Sequence, residues 1–182
     1  MLITYQLDEN DFLQYQLYTA SKSERIKKKR LKSKIIIPII YGLIIAFDLY
    51  KGNTNSAIVF LAMGILWFFL YPLWEKRHYI KHYKGFIKEN YQNRFNKVVV
   101  IEFAYDFISS NDISGSEMKI ATSEIEEINE ISSSIFIKFN IGNSLILPKN
   151  KIQNNDDIIL FLRQLANSLN VKYNIENNWK WK

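Results

Sequence analysis

Hydrophobic and polar positions change rhythm repeatedly along this chain. Ile3, Tyr5 and Leu7 alternate with Thr4 and Gln6, the period of two that marks a strand with one buriable face. Asp8 then stands where a helix N-cap belongs, with Glu9 and Asp11 in the first turn. Phe12, Leu13, Tyr15, Leu17 and Tyr18 carry that helix onward into a basic stretch. From Ile35 the alternation disappears. Ile35–Tyr50 and Ala57–Trp74 are apolar on every face, which predicts helices surrounded by apolar matter rather than helices with one buried stripe. Between them, Lys51-Gly52-Asn53-Thr54-Asn55-Ser56 is short and rich in turn formers.

The two runs have the dimensions of a membrane hairpin. The first, 16 residues long, rises about 24 Å against a hydrocarbon core of roughly 30 Å. Snorkelling Lys32, Lys34 and Lys51 can make up that difference. Pro38 falls in its first turn, where a missing N–H costs little. The second run has no charged side chain in 18 residues and closes on Trp67, Tyr71 and Trp74, aromatics suited to the headgroup level. The alternative is a hairpin buried inside a soluble protein.

After the second run, Glu75 to about Asn96 reads as a basic amphipathic helix with Tyr79, Tyr83, Phe86, Ile87 and Tyr91 near helical spacing. From Lys97 the period returns to two. Strands are expected at Val98–Phe103, Tyr105–Ser109, Glu117–Ala121, Glu124–Ile131, Ile135–Asn140 and Ser144–Leu147. Breaks fall at Ser110-Asn111-Asp112, Ser114-Gly115-Ser116, Ser132-Ser133 and Ile141-Gly142-Asn143, the last a hairpin turn. Asn155-Asp156-Asp157 caps a helix with Ile158, Phe161, Leu162, Leu165, Ala166 and Leu169 on one face. The expected fold class is thus a membrane α-helical hairpin, two transmembrane helices, plus an α+β cytoplasmic domain. That domain is a small antiparallel, pleckstrin-homology-like β barrel or sheet with a C-terminal helix. Its parts are residues 1–34, strand and basic helix; 35–74, hairpin; 75–96, basic juxtamembrane helix; and 97–182, β domain.

A barrel of that kind needs one strand more than this count supplies. Leu2–Leu7 and Val171–Ile175 are spare, and the hairpin returns both to one side. The N-terminal strand is expected to cover the open edge, because Ile3, Tyr5 and Leu7 give it a face to bury.

Charge sharpens the picture. The net charge is +6 and the mean hydropathy -0.14. From Lys22 to Lys34 there are eight basic residues against Glu24 alone, and Glu75–Lys97 adds seven against Glu75 and Glu89. From Val98 onward eight basic residues face eleven acidic ones. The positive excess brackets the apolar runs and is absent from the β domain, so nucleic acid is not the expected partner. Fifteen flanking cations against Lys51 in the loop place both termini in the cytoplasm. No small-residue cleavage site follows the first run, which reads as an uncleaved signal anchor. The basic flanks are expected to attract anionic lipid headgroups.

The element order resembles that of the bacterial YcxB-like proteins. The opening ITYQLDENDFLQYQLY is similar to that family's start, and Ile120–Ile128 sits where it tends to have isoleucine, tryptophan and isoleucine, with Thr122 here in the tryptophan's place. Ile135–Phe139 followed by Leu145-Ile146-Leu147-Pro148-Lys149 looks like its strand pair and proline-basic exit. The resemblance covers nearly the whole chain and implies a two-pass protein of the bacterial cytoplasmic membrane. It implies no reaction.

Little chemistry is legible. Without cysteine there are no disulfides, thiol nucleophiles or cysteine–metal sites. His78 and His82 share a helix face at zinc-ligand spacing, yet HYIKH lacks a metalloprotease glutamate, and Lys81 and Lys84 would repel a cation. They read as interfacial aromatics. Asp48 is the only charge within either run and lies near its outer end, within reach of Lys51 or headgroup water. Gly42 and Ala46, with Ala62 and Gly64, suit close packing of the two spans. The acidic run Glu124, Glu126, Glu127 and Glu130 reads as solvated rather than as a cation site, with Glu124, Glu126 and Glu130 sharing one strand face. Ser132, Ser133 and Ser134 sit in no nucleophile elbow, and no phosphate loop is present. The tail Asn177–Lys182 alternates Trp179 and Trp181 with lysines, which fits an interfacial dip, a frayed end or an extended last strand alike. No catalytic, cofactor-binding or metal-binding residue is assigned, and no cofactor is expected. A membrane-tethered binding or adaptor module with an unknown protein partner leads. The alternatives are an accessory or immunity-type subunit of another membrane protein, and an enzyme with a dispersed site.

Overall fold

The computed structural model describes residues 1–112 and 117–182. The chain divides into two compact units: Met1–Tyr15 with Lys84–Lys180, and Gln16–Tyr83 with Trp181–Lys182. The expected break at Ser114-Gly115-Ser116 lies outside the described residues.

Among the described residues of the first unit, eight strands form two four-stranded sheets. One runs β1 (Leu2–Gln6), β2 (Val98–Phe103), β3 (Phe107–Asp112), β4 (Glu117–Ala121), each antiparallel to the next. The other is ordered β7 (Ser144–Pro148), β6 (Ser134–Phe139), β5 (Ile125–Ile131), β8 (Lys172–Glu176). The expected N-terminal strand does join β2, in register from Leu2 opposite Glu102 to Gln6 opposite Val98. Ile3 and Tyr5 turn inward and are buried, as the alternation requires. β3 reaches Asp112, so Ser110-Asn111-Asp112 continues a strand instead of breaking it; pairing with β2 and β4 overrides the local turn propensity.

The other spare segment is used as well, against the all-antiparallel expectation. β8 pairs in parallel with β5 from Glu127 opposite Lys172 to Ile131 opposite Glu176. The helix α4 (Asn155–Leu169) is the crossover that brings the chain back to run this way. Asn170 closes that helix at φ 54, a left-handed conformation asparagine tolerates. At its start, Asn154 (φ 55) occupies the cap without a side-chain bond, so the Asn155-Asp156-Asp157 cap is not formed; Asp156 and Asp157 remain in the first turn, where the helix dipole favours them. The core is a shared aliphatic layer: Ile101, Ile108 and Ile120 from one sheet, Ile128, Ile137 and Leu147 from the other, and Ile158, Leu162 and Leu165 from α4.

α1 (Glu9–Lys22) begins as its sequence indicates. Asp8 Oδ1 accepts from the N–H groups of Asn10 and Asp11, at 2.8 and 3.0 Å, and Asp11 Oδ2 accepts the Asp8 N–H at 2.9 Å. This reciprocal box satisfies donors that the helix cannot.

In the second unit, the basic stretches are the ends of the long helices rather than separate elements. α2 (Glu24–Tyr50) runs through Lys34 and Pro38 without a break, and α3 (Thr54–Tyr91) runs through Pro72 and Glu75. The interruption comes instead at Ser23, whose hydroxyl accepts the Ile26 N–H at 3.4 Å and restarts the helix. The connecting turn uses Gly52 at φ 77. Both helices are long and apolar enough to cross a membrane, and little of either apolar window is covered by the chain itself. Leu43, Phe47, Phe69 and Leu73 are all more than half exposed.

Candidate functional site

α2 and α3 enclose a cleft of about 700 Å³ at the basic end of the hairpin. Helical periodicity builds both walls. Arg25, Lys29, Ser33 and Ile36–Ile37 recur at intervals of three or four along α2, while Trp67, Tyr71, Trp74, His78 and His82 do the same along α3. His78 stacks on Trp74, with ring centroids 5.0 Å apart and planes 17° from parallel. Trp67 lies 5.0 Å from Tyr71, and its Nε1 donates to the Lys34 carbonyl at 3.3 Å.

An ion pair ties the two helices at this level. Arg30 Nη2 donates to Glu75 Oε2 at 3.0 Å, and Tyr71 Oη donates to Glu75 Oε1 at 3.2 Å. The Glu75 side chain is only 8 % exposed, and each of its two oxygens meets one of these donors. Arg30 also donates to the Lys182 carbonyl at 2.8 Å, and its guanidinium lies 4.7 Å from the Trp181 ring centroid. Trp181 is buried and packs 5.6 Å from Tyr79. Trp181 therefore neither frays nor extends the last strand, which ends at Glu176. Burial pushes the Tyr79 hydroxyl's pKa up, with the Glu75 charge adding to the effect. The Arg30–Glu75 pair and the Trp181 anchor had no local signature. Their partners lie 45 and about 150 residues apart, and nothing in a lysine-rich run singles out one arginine.

The other candidate residues fall elsewhere. His78 and His82 do share a face and line the cleft with Glu75, but Glu75 is engaged by Arg30 and Tyr71. Among the described residues no group of three histidines or carboxylates could hold a metal ion. Asp48 is engaged by the connecting turn. Its Oδ2 accepts the Ser56 hydroxyl at 2.6 Å and its carbonyl accepts the Asn53 N–H at 2.8 Å, which fastens the hairpin turn. The small residues do not act as a set: a Cβ on Gly42 would meet nothing within 4 Å, whereas Gly64 has Tyr41 at 3.8 Å.

The acidic run does not stay on one solvated face. Glu126 is exposed, but Glu130 is buried. A bulge between Ile125 and Glu127 shifts the register and leaves Glu130 opposite Ile135. Its carboxylate accepts from Lys149 Nζ at 2.8 Å, Tyr173 Oη at 2.8 Å and Arg163 Nη2 at 3.2 Å. Burial alone would raise its pKa, yet these three donors outweigh burial and hold it below the usual glutamate value. Ser134 is buried, and its hydroxyl reaches Ser133 Oγ at 3.5 Å.

A second hollow, of about 540 Å³, opens in the β unit between Tyr5, Val99, Met118 and Leu145, with Arg94 and Lys97 on its lining. Comparison with protein families, with curated proteins and with solved structures gives no match for this chain.

Proposed function

We propose that this chain is a two-pass protein of the bacterial cytoplasmic membrane with both termini in the cytoplasm. It tethers a pleckstrin-homology-like β domain beneath the bilayer, as the resemblance to YcxB-like proteins implies, and acts there as a non-catalytic binding or adaptor module. The observation that carries this reading is the uncovered apolar surface of α2 and α3. A hairpin buried in a soluble protein would have that surface packed, and here the chain leaves it open between two basic clusters. The two-sheet arrangement with a helix after the last antiparallel strand supports the domain assignment, and the hollow lined by Tyr5, Met118, Arg94 and Lys97 offers the domain a place to bind. A reporter active only outside the cytoplasmic membrane should be active when fused after Asn53 and silent when fused after Lys182. The reverse pattern overturns the topology.

One observation favours the accessory-subunit alternative. A shallow apolar groove of about 490 Å³ runs along the hairpin past Pro38, Gly42, Ile45 and Phe60, with open space over Gly42. Another membrane helix could approach closely there. Gly42→Leu should then abolish recovery of a stoichiometric membrane partner in a mild-detergent pull-down. Under the adaptor reading, partners survive this change and are lost with the β domain.

A further inference from the structure

The cleft at the basic end of the hairpin is graded along its length. Arg25 and Lys29 on α2 lie across from His78 and His82 on α3, because the helices are antiparallel neighbours joined by a short turn. Further along come Ser33 and Tyr71, whose hydroxyl donates to Glu75 and is met by the Ser33 side chain. Further still, Ile36 and Ile37 face Trp67. From Lys29 to Ile36 is seven residues, or about 10 Å of helix, so the lining passes from cationic to apolar within the span of one amphiphile. The carboxylate on the lining, Glu75, is held by Arg30 and Tyr71, which leaves the polar end with net positive character.

The geometry points to a binding site for a single anionic phospholipid in this cleft: its phosphate between Arg25, Lys29 and the two histidines, its glycerol level at Ser33 and Tyr71, and an acyl chain along Ile36, Ile37 and Trp67. This rests on the two-pass reading and goes beyond it, since general attraction of lipid to basic flanks needs no cleft. A soluble phosphate compound would find the cationic end but would have no use for the apolar one. Charge complementarity at one end and apolar lining at the other select a lipid.

The test uses the full chain purified in a neutral mild detergent after reconstitution with mixed phosphatidylglycerol and phosphatidylcholine, with retained lipid counted by native mass spectrometry. About one phosphatidylglycerol per chain should survive detergent exchange. Arg25→Gln with Lys29→Gln should weaken retention about thirtyfold, as each juxtamembrane cation contributes roughly fivefold. Lys28→Gln with Lys32→Gln removes the same charge from outside the cleft, where solvent and salt screen it from a lipid held in detergent, and should leave retention within about twofold. Equal loss in both double variants, no retained phosphatidylglycerol, or displacement by millimolar glycerol phosphate would each overturn the site. Alkaline carbonate extraction separates the two inferences: a chain released by carbonate refutes the membrane reading, whereas a carbonate-resistant chain that retains no lipid refutes only the site.

Discussion

Glu130 has an exposed strand neighbour at Glu126 and the same residue type, yet its situation is opposite. It sits at the end of the aliphatic layer, where β5, β8, α4 and the segment after β7 converge, and each of the last three supplies one donor. A buried carboxylate so placed is costly to orphan. Replacing it with glutamine keeps the shape but removes the charge that Lys149 and Tyr173 were placed to meet. Glu130→Gln should destabilise the β unit by about 2–3 kcal/mol, read as a lowered thermal midpoint. The pH dependence has a defined sign. A carboxyl whose folded pKa is depressed contributes fully above its unfolded value of about 4.3, and that contribution is lost as pH falls through the folded value. The gap between wild type and Glu130→Gln should therefore be flat from pH 7 to about 5 and close on further acidification below about 4. A gap that closed near neutrality would mean that another group controls the cluster. Burial, with the Glu130 hydrogen bond adding to it, pushes the Tyr173 hydroxyl up, so it stays a donor throughout this range.

Among the elements, those with strong local periodicity were legible and those that depend on distant partners were not. Val98–Phe103 and Glu117–Ala121 occupy the residues expected of them, because alternation and flanking breaks agree there. The Ile141-Gly142-Asn143 turn also forms, with Gly142 at φ 85 and the Phe139 N–H donating to the Asn143 carbonyl. The helix boundaries could not be read from composition, since lysine and arginine are as compatible with helix as leucine. Composition changes at Lys34 and at Glu75, while the backbone continues. Glu130 escaped the reading because a bulge inverts face parity, and parity was the only signal available. The cleft was half legible: its cations and aromatics were recognised separately, but not that two helical stripes bring them together. β1 carries its own prediction. It covers β2 along five residue pairs, and Tyr5 Oη donates to the Ile146 carbonyl of β7 at 2.8 Å, linking the edge strands of the two sheets. A Gln92–Lys182 fragment should self-associate through the bared β2 edge, and residues 1–8 supplied on a flexible linker should make it monomeric in sedimentation analysis. A fragment already monomeric and cooperatively folded would leave β1 without this role.

At the scale of the whole molecule, the hairpin is an insertion between two paired strands. Gln6 and Val98 are adjacent in the ladder and 92 positions apart in the chain. At about 5–20 residues per second, β1 emerges from a ribosome roughly five to twenty seconds before its partner exists. Under the two-pass reading, everything that happens in that interval is membrane integration. Had only one of the two helices crossed, β2 would emerge on the far side of the bilayer from β1, and the first sheet could not assemble. On that reading the strand pair would work as a topological checksum: the β domain could complete itself only on chains whose two helices were threaded an even number of times. Misthreaded copies would be left with a bare β2 edge and an unclosed core, a surface open to pairing with other chains.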